Sequence, residues 1–212
     1  MTEVADHYRT ARLRITELVL SLDDDALARA VPACPGWTVH DVVSHITGVA
    51  DDALNGRMDG VATDPWTAAQ VERGRGMATA DLLERWTEQA AVFESFPLPP
   101  QAVIDLTTHE QDIRGAVDQP GARDTDEIQF AFALLAQRAV EEVPGLRVEA
   151  DGTTFGPDDA TSTLRGDRYD LYRAMMGRRS PAQLRALDWG GEPPAAVEAV
   201  AVFGPAPLDV VE

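Results

Sequence analysis

Up to about residue 143 the chain alternates between two textures, and that alternation limits what it can fold into. Stretches with apolar residues at helical spacing are cut by short segments rich in proline and glycine. Val4, Tyr8, Leu13, Ile15, Leu18 and Leu20 set the first helix, over residues 3–21. "VPACPGWTVHD" then breaks the pattern, with Pro32, Pro35 and Gly36 forming a turn. Thr38 is a good N-cap, and Asp41 three residues later completes a capping-box pair, so a second helix runs from Val39 to Leu54. "TDPWTAAQVERG" predicts a shorter helix with Pro65 in its first turn, and "TADLLERWTEQAAVFESF" a strong one capped by Thr79. "PLPP" stops it. Helices over 101–117 and 124–143 follow, the last closing at Pro144-Gly145.

After Gly145 the texture changes. "LRVEADGTTFG" alternates around a glycine turn, as a hairpin does, and "TSTLRGD" reads as a third strand. "RYDLYRAMMGR" and "SPAQLRAL" are short helices, and "VEAVAVFGP" is a short helix or a strand. The expected organisation is mainly α. A helical bundle over residues 1–145 precedes a small α+β domain over 146–212, which is small to be stable alone.

Composition narrows the function classes. Apolar residues at 44% and charged residues at 25% are ordinary for a soluble globular chain. No apolar run approaches the ~18–20 residues that span a bilayer, and the N-terminus is charged from its start, which points to the cytoplasm. The net charge is −18. Such a chain is repelled by nucleic acid and by anionic membranes, so neither is expected as a partner. All 18 cationic side chains are arginine, which removes lysine Schiff-base chemistry. The single cysteine, Cys34, excludes an internal disulfide and a cysteine-rich metal site. It reads as a small apolar residue packed in the turn. Nothing fixes an oligomeric state.

Only four histidines occur. In "DLTTHEQDIRGAVD", Asp105, His109 and Asp112 fall within an arc of about 60°, beside the apolar stripe of Leu106, Ile113 and Val117. A carboxylate and an imidazole at i and i+4 can grip one cation. The same spacing is common on hydrogen-bonded or solvated helix faces, so both readings stand. His45 borders the apolar face of Val42, Ile46, Val49 and Ala53, as a ligand or as a core-edge histidine bonded to a carbonyl. His40 lies about 140° from His45 on one helix, so the two cannot share a metal. His7 has no supporting pattern.

"CPGWTVHDVVSHITG" and "DLTTHEQDIRGAVDQPG" together resemble the mycothiol-dependent maleylpyruvate isomerase family, whose bundle is a DinB-like, up-down, metal-binding four-helix bundle. The small α+β tail resembles the domain that follows the bundle there. The resemblance implies a divalent metal, zinc, held by His45, Asp105 and His109, with Asp112 orienting His109. The family isomerase has glutamate where this chain has Asp105. Trp37, Pro35 and Gly36 match the motif and are expected to pack the turn that aims the second helix. Three protein ligands leave a position open, as in catalytic zinc sites. The implied cosubstrate is an external thiol, mycothiol, used as a zinc-bound thiolate. It would add to a small electrophile, giving S-transfer, or cis-trans isomerisation when rotation and elimination follow. Arg178 and Arg179, in "MGRRSPAQL", read either as solvated arginines at a helix end or as the positive site for an acidic substrate. The resemblance implies that an arginine of the tail reaches the site, with Arg178 the choice and Arg114 and Arg173 as others. Two alternatives remain open: a non-catalytic metal or small-molecule binding protein, and a metal-dependent hydrolase on the same bundle. The second and fifth predicted helices should be adjacent, with the nitrogens of His45 and His109 converging.

Overall fold

Thr2 accepts a hydrogen bond from the Ala5 amide and opens α1 (Glu3–Leu20). Such a cap satisfies one of the four amides that a helix start leaves unpaired. Asp23 does the same for the short α2 (Asp24–Leu27). At α3 (Val39–Leu54) Thr38 and Asp41 form the full reciprocal capping box. α4 (Asp64–Gly74) begins with Pro65 in its first turn, where a missing N–H costs nothing. α5 (Thr79–Phe93) and α6 (Gln101–Ala116) complete the first unit. α5 starts one residue earlier than the expected Thr79 cap implies. Ala78 holds the N-cap position without a side-chain bond, and the Thr79 hydroxyl pairs instead with His40.

The computed structural model describes residues 2–191 and 193–211. They divide into two units, Met1–Gly121 and Ala122–Glu212. In the first, α3 packs on α4, α5 and α6, and α1 on α6 and α5. Its core is Tyr8, Ile15, Val42, Ile46, Leu83, Trp86, Leu106 and Ile113, all essentially fully buried. Each large aliphatic side chain there contributes about 1.5–3 kcal/mol. Two buried carboxylates tie α1 to its neighbours. Glu94 accepts from Arg9 and Arg12, and Glu110 of α6 accepts from Arg14 and Arg114. The second of these fixes the rotation of α6 about its own axis.

The second unit starts earlier than the expected boundary near residue 145. It holds α7 (Asp126–Glu142), β1 (Leu146–Ala150), β2 (Thr153–Phe155), β3 (Ser162–Gly166), α8 (Arg168–Met175), α9 (Pro181–Arg185), β4 (Asp188–Trp189) and a 3-10 turn over Val197–Val200. The sheet order is β2-β1-β3-β4, with β1–β3 parallel and the outer pairs antiparallel. Asp151 and Gly152 join β1 to β2 with both φ angles positive, as a two-residue hairpin of this twist requires. One face of so small a sheet must be covered. α7 supplies the cover by packing on β1 and β2, where Phe132 meets Phe155 edge-on, and it also packs on α8. For that reason α7 belongs with the sheet rather than with the bundle.

Candidate metal centre

α3 and α6 lie side by side and carry His45 and His109, both buried. Their rings are 4.9 Å apart, centroid to centroid, and nearly perpendicular. Asp105, one turn before His109, reaches between them. Its Oδ1 lies 3.5 Å from His45 Nε2 and 3.6 Å from His109 Nε2. One ligand atom from each of the three residues falls within 4.8 Å of the others. Two ligands about 2.0–2.2 Å from one tetrahedral cation stand about 3.3–3.6 Å apart. The separations from Asp105 thus suit a shared ion better than a direct hydrogen bond.

The outer nitrogens of both rings are tied off. His45 Nδ1 is 2.7 Å from Gln70 Oε1, which can only accept, so Nδ1 carries the proton. Gln70 Nε2 donates to Asp52 Oδ2 at 2.9 Å, which sets the orientation of the amide. Asp52 in turn accepts from Arg57 and Arg73. Burial raises the Asp52 carboxyl, but the hydrogen bonds from Arg57, Arg73 and Gln70 outweigh it and hold the group below the usual carboxylate range. His109 Nδ1 donates to Asp112 Oδ2 at 3.0 Å. Burial pushes His109 below the ordinary histidine range, against the opposing pull of Asp112 and Asp105. Both imidazoles are therefore arranged to present an Nε2 lone pair toward Asp105.

Gln70 reaches His45 because α3 and α4 approach unusually closely. A Cβ on Gly48 would lie 2.8 Å from Gln70 Cβ and 2.9 Å from its Cγ. A Cβ on Gly74 would overlap the Ser44 side chain. The two glycines, one per helix, set the spacing that makes the His45–Gln70–Asp52 chain possible.

The turn before α3 brings two further groups to the centre. Cys34 does not simply fill the turn. Its partly buried thiol donates to Asp112 Oδ2 at 3.3 Å, and its Sγ lies 3.9 Å from His109 Nδ1. Trp37 does more than pack the turn, because its ring stands 5.4 Å from His45 and lies roughly parallel to His109 at 6.2 Å. Trp66 of α4 meets His45 edge-on at 6.4 Å. The remaining histidines stand elsewhere. His40 bonds Thr79 and the Gly74 carbonyl, and His7 is half-buried on α1, with Nε2 3.9 Å from Glu3. Arg178 belongs to the second unit, just past α8, where its guanidinium donates to the Met176 carbonyl.

Residues 8–103 match the family model described as the mycothiol maleylpyruvate isomerase N-terminal domain. This stretch is a domain of that family. The match takes in most of α1, all of α2 to α5, the start of α6, and His45, and it ends two residues before Asp105. Among solved structures the chain is similar to a mycothiol-dependent maleylpyruvate isomerase. The TM-score is 0.56 at 14% identity, over 89% of this chain and 92% of that one. It is also similar to a histidine-to-alanine mutant of such an isomerase, with a TM-score of 0.54 at 13% identity, over 82% and 88%. These likenesses establish the fold. No curated protein matches the chain. Within the mycothiol maleylpyruvate isomerase domain, then, one histidine of the triad lies inside the matched stretch. The aspartate and the other histidine lie on α6 just beyond it. No described helix is long and apolar enough to cross a membrane.

Proposed function

We propose that His45, Asp105 and His109 hold one divalent cation, zinc, and that the chain is a mycothiol-dependent enzyme. It transfers the thiol's sulfur to a small electrophile or isomerises it from cis to trans. The observation that carries this is the convergence of two Nε2 atoms and one carboxylate oxygen while Gln70 and Asp112 occupy the opposite nitrogens. The donor set, two imidazoles and one carboxylate, is a familiar zinc set that leaves a fourth position open. The family domain over residues 8–103 and the fold of mycothiol-dependent maleylpyruvate isomerases support the thiol.

When bound, the cation would supply a Lewis acid that favours the thiolate of a small thiol at neutral pH. The chain's own residues prepare the place. Gln70 and Asp112 fix the two imidazoles in the tautomer that can ligate. Burial pushes His109 below the ordinary histidine range, which favours the neutral ring that can ligate. Trp37 and Trp66 shield the rings from water. Asp105 is the most open of the three, its side chain about one-third exposed, so the approach for small molecules is on its side. Its charge offsets that of the cation. The reading places the protein in the cytoplasm, where small thiols stay reduced.

Calorimetry tests the thiol. Mycothiol should bind far more tightly than its hydroxyl analogue, release a proton (seen by comparing two buffers of different ionisation enthalpy), and lose affinity when a chelator strips the metal. Equal binding of thiol and alcohol, without metal or proton release, overturns the enzyme reading and leaves a carrier of the sugar portion. Metal-dependent turnover that ignores the thiol would instead mark a hydrolase.

A further inference from the structure

We propose a second cation position, formed by Cys34 Sγ, His109 Nδ1 and Asp112 Oδ2, that takes a sulfur-preferring divalent cation such as cadmium and shares His109 with the first. The three donors lie close together: 3.0 Å between Nδ1 and Oδ2, 3.3 Å between Sγ and Oδ2, and 3.9 Å between Sγ and Nδ1. Ligands around one tetrahedral ion with a thiolate at ~2.3 Å and nitrogen or oxygen at ~2.0–2.2 Å stand about 3.3–3.6 Å apart. Closing around an ion would take shifts of a few tenths of an ångström. Asp112 and His109 are buried, and Cys34 sits half-buried in the turn before α3 with its ligating side chain turned inward among them.

The two positions sit back to back across one imidazole. The first uses His109 Nε2 with His45 and Asp105, and the second uses Nδ1 with Cys34 and Asp112. A neutral imidazole has one lone pair. An ion on Nδ1 therefore needs the ring proton on Nε2, which ends ligation in the first position. That exclusion rests on the first-position reading given above, whereas the second position itself does not. Softness decides between them. Two imidazoles and a carboxylate suit zinc, while a thiolate draws cadmium. The thiol proton passes to solvent as the cation binds.

The test titrates cadmium into the metal-free full chain and follows sulfur-to-cadmium charge-transfer absorption in the ultraviolet. One equivalent should saturate the band. Cys34→Ser should abolish it, and His109→Ala should weaken cadmium binding by at least roughly tenfold. His45→Ala should leave the band intact, since His45 serves only the first position. No band at saturating cadmium overturns the proposal. So does a band with unchanged affinity in both His109→Ala and Asp112→Ala, which would mark a solitary reactive thiol. Zinc bound beforehand should be released stoichiometrically as the band grows. A chain that takes up zinc through His45 yet shows no cadmium band refutes the second position alone. A cadmium band in a chain that never binds zinc refutes the first alone.

Discussion

Gln70 Oε1 lies 2.7 Å from His45 Nδ1 and makes the proton on that nitrogen obligatory. Partners of this kind hold a ligating imidazole in place, and their loss typically costs 10–100-fold in metal affinity. Gln70→Leu keeps the volume but removes the acceptor for His45 and the donor to Asp52. Zinc affinity, read by competition with a chromophoric chelator, should fall about 10–100-fold. Stability should fall by about 1–3 kcal/mol for the buried groups left unpaired. Unchanged zinc affinity would detach Gln70 from the centre.

Gly48→Ala would ordinarily strengthen a helix by about 1 kcal/mol. Here the sign reverses. The new methyl would meet Gln70 Cβ at 2.8 Å, near the root of that side chain, so α4 itself must move. Both zinc affinity and the melting temperature should drop, the first through the displaced Gln70. A more stable variant with wild-type affinity would contradict the close approach of α3 and α4.

Asp105→Glu should retain more zinc affinity than Asp105→Asn. The carboxylate is partly open to solvent and has room for a longer stem, whereas asparagine loses the charge that a divalent ion attracts. Equal affinity in Asp105→Asn and wild type removes Asp105 from the ligand set.

Asp52 and Asp41 both ionise below the usual carboxylate range. Burial raises each, but hydrogen bonds win, from Arg57, Arg73 and Gln70 at Asp52 and from Thr38 and Arg75 at Asp41. A depressed folded-state value means stability that is present above the unfolded value of about 3.9 and is lost as pH falls through the folded one. Asp52→Asn should therefore be less stable than wild type at neutral pH, with the gap closing below about pH 4. Urea midpoints from neutral to acidic pH measure this. A gap that widens in acid would show that Asp52 contributes nothing as a charge.

The local devices were legible in the sequence because they are written within a few residues. The Thr38–Asp41 capping box and the Asp-Gly hairpin are of this kind, and so is the placing of Asp105 and His109 one turn apart. The missed features depend on distant chain meeting. A glycine inside a helical pattern reads only as weak propensity, so nothing in "SHITGVA" announces that Gly48 lets Gln70 approach His45. Cys34 reaches Asp112 across 78 residues, and a lone cysteine in a proline turn gives no sign of that partner. The apolar face of α7 is like that of a bundle helix. Only the need of the sheet for a cover assigns it to the second unit. The Thr79 hydroxyl had two suitable uses, a cap or a bond to His40, and tertiary contact chose the second.

X-ray absorption at the zinc edge tests the central claim most directly. With one equivalent of zinc and no thiol, the ion should show nitrogen and oxygen neighbours at about 2.0–2.2 Å, including two imidazoles, and no sulfur. Added mycothiol should bring in one sulfur at about 2.3 Å. A sulfur shell already present without thiol would mean that zinc sits on Cys34. No sulfur after saturation with mycothiol would mean that the centre does not bind the thiol through its sulfur, and either result contradicts the account.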